Sequence, residues 1–381
     1  MPKIVDRGIV WDATQQPAER QVACFISLCQ LQSGRIICGF QNGPRKNAAT
    51  STIRVCSSTD HGKTWETWPG EFGDRMEGIT GSLSCAELVE ISPDRLLLFA
   101  TWFDRTEPER PLFDPVTEGI LRSKLLMAAS TDEGKSWSDW RVLSTGHLKG
   151  CASTGPVLRW SDGTLAVPFE SFKEYDDPRP CAPGSWMIVS ADGGETFSDP
   201  MLVAQDPHNR VYYWDQRLCT ATSGDSHFFA FFWSHDRNQK QDLPIHLRRG
   251  EVRDGRIQAT DLETTTIPGQ IAAPLQLNDG RVLAFVVDRG QPCTMALWCS
   301  EDQGRSWPDS KRLVVYTHDE QAAITQGKDD IDYQRFWEDM GKWSFGHPAI
   351  RVVDEQHVLV AWYAGPPNRM SVHWARIRTT A

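Results

Sequence analysis

Apolar and polar positions alternate along this chain in short bursts rather than with a helical period. A polar turn followed by a short apolar run occurs as SGRIICGF (33–40), SPDRLLLFATW (92–102), SDGTLAVPFE (161–170), SGDSHFFAFFW (223–233), NDGRVLAFVVD (278–288) and DEQHVLVAWYA (354–364). Each run is preceded by another apolar segment, such as FISLCQL, SCAELVEI or GPVLRW, so the pairs predict hairpins. A third apolar strand follows in most repeats, as in STIRVCSS and LLMAASTD. Helical periodicity is nearly absent; DYQRFWEDMGKW (332–343) is the one stretch that suggests a short helix.

A second motif sets the register of the first. SSTDHGKTWE (57–66) returns as STDEGKSWSD (130–139), SADGGETFSD (190–199) and SEDQGRSWPD (300–309), each time after the third strand. The fourth repeat carries a degraded version, RRGEVRDGR (248–256), and the sixth ends in SVHWARIRTT without a turn. Repeats of about 60 residues with four strands each predict an all-β fold, a six-bladed β-propeller. The N-terminal RGIVWD is then expected to supply the strand missing from the last blade and close the ring, which leaves only short, protected strand edges. No linker rich in Pro, Gly or Ser interrupts the chain, so residues 1–381 are expected to form a single domain.

The repeated turn has a physical rationale. The Asp carboxylate and the Ser or Thr hydroxyls can bond turn amides, Gly supplies positive φ, and the aromatic residue anchors the loop between strands. These four strings resemble the Asp-box (BNR repeat) of the sialidase, or neuraminidase, superfamily, and with the six blade units the resemblance covers nearly the whole chain. It implies that Asp60, Asp132, Asp192 and Asp302 are structural and lie on the face opposite the active site.

In that superfamily three Arg hold the substrate carboxylate, a Tyr paired with a Glu is the nucleophile, and an Asp is the acid/base. The resemblance carries over in part. Arg237 in FFWSHDRNQ and Arg289 in FVVDRGQP stand where the second and third Arg are expected, and Asp215 in YYWDQR stands near the Glu position. Cys24 in ACFISLCQL falls at the first Arg, with Arg20 one turn earlier as a substitute. The loop QNGPRKNAATST offers Arg45 where the acid/base Asp is expected, and His347 in KWSFGHPAI falls at the Tyr. The chain thus resembles a divergent member without the usual covalent machinery.

Composition narrows the chemistry. The net charge of −10 over 381 residues disfavours nucleic acid, so an anion site must be a local Arg cluster. No apolar window is long enough to span a membrane, and MPKIVDRGIVWD lacks the apolar run of a signal peptide. Ten cysteines scattered without paired spacing are expected to be reduced, buried thiols in a cytoplasmic protein. Neither a cofactor nor a metal is expected: His147, His208, His235 and His347 lie in pocket-facing segments but without ligand spacing.

Strand starts and the loops after second strands line the centre of a propeller. There Asp104-Arg105, Asp236-Arg237 and Asp288-Arg289 recur, either as solvated ion pairs or as a shared anion-binding set. The candidates for substrate binding are Arg237, Arg289, Arg45 and Arg105, with Trp102 and Trp233 (and Trp214) as rings that stack on a sugar or simply fill the core. The catalytic candidates are His347, Asp215 and Glu170. These residues point to a carbohydrate-active enzyme on a small acidic saccharide, as an exo-glycosidase or a uronate lyase. The alternative is a non-catalytic propeller that binds glycans or proteins.

Overall fold

A computed structural model describes residues 2–222, 226–319 and 343–379. Among these residues the chain forms six antiparallel sheets and no α-helix, and the sheets pack as the blades of a propeller. Most of the suspected helix at 332–343 lies outside the described residues. Blades one to five run in chain order, with inner strands at Val22–Gln30, Ile79–Ser92, Cys151–Ser153, Val211–Thr220 and Ala272–Gln276. Blade six takes Phe345–Asp354, His357–Ala364 and Ser371–Arg378, and its outer strand is Lys3–Trp11 from the N-terminus. Register pairs run from Lys3↔Arg378 to Trp11↔Val372, joining the two chain ends in one sheet.

The strands follow from their composition. Their β-branched and aromatic residues suit a pleated, buried surface. Both faces of the second strands are buried, as in Val282–Asp288, because each blade is covered on both sides. The cores lie between blades: one cluster joins Val10, Trp11 and Trp374 of blade six to Val22, Leu28 and Phe40 of blade one.

The repeated turns form one geometry. Ser58 Oγ donates to Asp60 Oδ1 at 2.8 Å, and Thr64 N and Thr64 Oγ1 donate to the two carboxylate oxygens at 2.9 and 2.7 Å. Gly62 N donates back to Ser58 Oγ at 2.9 Å, at a φ of 90° that favours glycine. The same bonds recur around Asp132, Asp192 and Asp302. Each turn packs on the preceding blade: Gly62 faces Trp374 of blade six, and Gly134 faces Ile37 of blade one. Because the third strand runs away from the end of the second, the turns sit at the end of the propeller opposite the cavity described below.

Two outcomes test this account. Trp307 is 4% exposed between blades four and five, so Trp307→Ala should cost about 3–5 kcal/mol in urea unfolding. Hydrogen bonds from Thr64 lower the Asp60 pKa from 3.8 to about 2. This contribution to stability is present above pH 3.8 and should fade as the pH falls through about 2; Asp60→Asn should remove that part of the acid transition in a pH titration of unfolding.

Candidate functional site

The site is built by a defect repeated in four inner strands. Antiparallel register slips between Cys24 and Ser27, Ser84 and Glu87, Trp214 and Arg217, and Gly346 and Ala349. At each slip one non-glycine residue takes a left-handed backbone: Phe25 (φ 52°), Cys85 (59°), Asp215 (44°) and His347 (52°). A bulge of this kind re-aims its side chain out of the strand's alternation. All four side chains line one cavity of about 110 Å³ on the propeller axis. Such backbone strain costs on the order of 1–3 kcal/mol per residue and persists where the surroundings impose it.

Glu170, at the end of blade three's second strand, faces the same cavity, as do Trp214 and Trp233 of blade four. Leu112, Phe113 and Ile120, from the loop after blade two's second strand, close it on one side. The lining is therefore aromatic with two carboxyls, one imidazole and one thiol.

Behind the lining lies a buried charged network. Arg217, 2% exposed, reaches Asp215 Oδ1 at 3.4 Å and Glu87 Oε1 at 3.9 Å. Its Nη2 lies 2.5 Å from His347 Nε2. A guanidinium only donates, so Nε2 carries the lone pair and the ring is neutral. Burial, then Arg217 and Lys46, push the His347 pKa well below 6.5. Burial raises Glu87 to about 7, with Arg217 opposing. Burial, reinforced by the Asp215 charge, holds the Glu170 carboxyl well above the ordinary carboxylate range. Asp215, 27% exposed at its side chain, remains within reach of Arg217.

Lys46 is the second buried cation. Its Nζ donates to Tyr363 Oη at 3.0 Å and sits over the rings of Phe25, Trp343 and Tyr363 at 5.1, 5.4 and 5.3 Å. Arg289 is the third: Nη2 donates to Phe345 O at 2.8 Å, Nη1 to Gln270 Oε1, and its guanidinium covers Trp343 at 4.4 Å. Gly346 permits this approach, since a Cβ there would stand 2.5 Å from Arg289 Nη2.

Of the residues singled out in the sequence, Glu170, Asp215, His347, Trp214 and Trp233 meet at the cavity. Arg289 backs it without lining it. Arg237 lies on the rim, paired with Glu118 at 3.0 Å and stacked on Tyr212 at 4.5 Å. Arg105 spends its guanidinium on Ser82 Oγ, Arg110 O and Asn47 O, and Arg45 is exposed. Trp102 is fully buried, with Nε1 donating to Asp74 O at 2.7 Å. At the first strand the residue aimed at the cavity is Phe25; Cys24 points into the core, its Sγ 3.3 Å from Gln41 Oε1. Arg20 pairs with Glu71 at 3.5 Å. His147 and His208 are exposed and His235 meets Asp242 at 3.0 Å. Among the described residues no three His, Cys, Asp or Glu are arranged to hold a metal.

Arg217, Glu87 and Lys46 were not singled out in the sequence. The first two had a signal: a charged residue inside the apolar run of an inner strand, in WDQRLC and CAELVEI. Lys46 had none beyond its place beside Arg45.

No family model matches the chain. It is 29% identical over 164 residues to a sialidase of Bacteroides fragilis (strain YCH46), a match that spans 38% of this chain and 28% of that protein. The Hadza microbial sialidase Hz136 superimposes with a TM-score of 0.69 at 16% identity, covering 98% of this chain and 68% of that one. The chain resembles a divergent member of the sialidase superfamily. The α-L-arabinanase of Penicillium chrysogenum, solved with arabinobiose, shares the fold with a TM-score of 0.63 at 12% identity, over 98% of both chains. At such identities the solved structures establish the propeller and no more.

The network makes a stability prediction. Arg217→Met leaves Glu87 buried without its cation and should cost about 3–5 kcal/mol. Glu87 can escape by staying protonated, so the loss should be smaller at about pH 6 than at about pH 8 in urea unfolding. An equal loss at both would show that Glu87 does not ionise against Arg217.

Proposed function

We propose that this protein is a glycoside hydrolase acting on a small acidic saccharide at the axial cavity. The observation that carries the reading is the pair Glu170 and Asp215: two carboxyls on one cavity, the first pushed well above the ordinary carboxylate range by burial and the second beside the Arg217 guanidinium. Glu170, kept protonated by burial and the neighbouring charge, is the proton donor to the leaving glycosidic oxygen. Asp215, held beside Arg217, is the carboxylate that faces the positive charge developing at the anomeric carbon. Water delivers its hydroxyl to that carbon and its proton restores Glu170. His347 acts through Arg217: its lone pair accepts the guanidinium and fixes where that cation stands.

The charge balance supports an acidic substrate. Lys46, Arg217 and Arg289 all lie close enough to depress the basicity of His347. Opposite them, Glu170 is held protonated and Glu87 titrates only near about 7. The floor thus carries surplus positive charge, which favours a ligand carboxylate. Trp214 and Trp233 supply flat faces for a sugar ring. Hydrolysis is also the reaction class of the sialidases and the arabinanase that share the fold. Ten free cysteines, nine of them buried, fit residence in a reducing compartment such as the cytoplasm.

The test is a panel of aryl glycosides, including sialosides and glycosiduronates. Glu170→Gln and Asp215→Asn should each lower kcat by about 10²–10⁴-fold. Turnover needs Glu170 protonated, so the alkaline limb of the pH profile should fall above the usual carboxylate range and vanish in Glu170→Gln. Full activity in either variant would refute the assignment. Saccharide binding without turnover in the wild type would point to a non-catalytic binding propeller, and unsaturated uronate products to a lyase.

A further inference from the structure

The cavity is too small for the ligand it faces. Its 110 Å³ compares with about 300–1,000 Å³ for sites that enclose small organic ligands. One wall is the loop 105–122, which leaves and rejoins blade two, pairs with the blade-three loop and reaches blade four through Glu118. Leu112, Phe113 and Ile120 of this loop form that wall of the cavity. Its bonds to the blade-three loop 172–183 are local and backbone-rich: Ile120 N donates to Lys173 O at 3.1 Å and Thr117 Oγ1 to Tyr175 O at 2.6 Å. The two loops therefore form one flap.

The flap meets blade four through Phe172, which packs on the cluster holding Tyr212, Trp214 and Trp233, and through a few polar contacts, among them Tyr212 Oη to Cys181 O at 3.3 Å. Glu118 Oε2 accepts from Arg237 Nη2 at 3.0 Å and from Tyr212 Oη at 3.1 Å. Asn209 Nδ2 donates to Cys181 O at 2.5 Å. Glu118 and Arg237 are each about a quarter exposed at the side chain, 24% and 29%, so their attraction is partly screened and breakable. Glu118 holds a left-handed backbone, φ 62°, which aims it across the gap.

We propose that loops 105–122 and 172–183 are a lid, closed in this structure and latched onto blade four by Glu118, and that opening the latch admits the saccharide. The inference rests on the reading of the cavity as a saccharide site, but its test needs no substrate. Cys85 lines the cavity and is the one half-buried cysteine, whereas the other nine are buried. Burial raises its thiol pKa, so it alkylates slowly and its rate reports how often the lid opens.

The experiment is iodoacetamide labelling read at Cys85 by mass spectrometry. Glu118→Ala should raise the rate about two- to ten-fold, and Tyr212→Phe less. Salt should speed labelling of the wild type and leave Glu118→Ala unchanged. Glu107→Ala, which removes an exposed pair with Arg110 inside the loop, should match the wild type. The eight buried cysteines outside the lid report unfolding, so a rise confined to Cys85, and to Cys181 on the lid itself, is lid opening. Equal Cys85 rates in the wild type, Glu118→Ala and Tyr212→Phe would overturn the latch. Labelling that follows the prediction while no saccharide is cleaved would leave the lid standing and reject the hydrolase reading.

Discussion

A guanidinium buried on the axis holds the site together. Arg217 cannot lose its charge, so everything around it must answer that charge. Glu87 stands behind it, Asp215 beside it, and the His347 imidazole is kept neutral so that it can accept. The four residues come from blades two, four and six, so the contact exists only when the ring is closed. Site and fold are in this sense one construction: an error in blade register would leave a buried cation unanswered, at a cost of several kcal/mol.

The two ends of the propeller divide the work. At one end the Asp-containing turns are saturated with local hydrogen bonds and their aromatic residues fill the seams between blades. At the other, inner strands break register and aim single side chains inward. Local satisfaction stabilises; local strain positions. The same β-meander supplies both because antiparallel strands bring alternate connections to opposite ends.

The comparison with sialidases is instructive for what differs. The solved neighbours share the frame at low identity, and function on such a frame belongs to the residues at the axis. Here the first inner strand presents Phe25, and the second Arg expected from the resemblance is engaged by Glu118. Positive charge is instead concentrated in Arg217, Lys46 and Arg289 behind an aromatic lining.

Hydrophobic alternation and the four repeated turns determined the all-β six-bladed fold, because both are local patterns that each blade must satisfy by itself. They also put Glu170, Asp215 and His347 on segments that face the axis. Only the tertiary structure decided which side chains arrive there. A bulge shifts the aim by one residue, so Phe25 faces the cavity and Cys24 the core. Trp102 and Trp233 end equivalent strands, yet one is sealed beneath Asp74 and the other lines the cavity. Protonation was still less legible: the neutrality of His347 and Glu170 follows from burial and from charges far away in sequence, which no local pattern records.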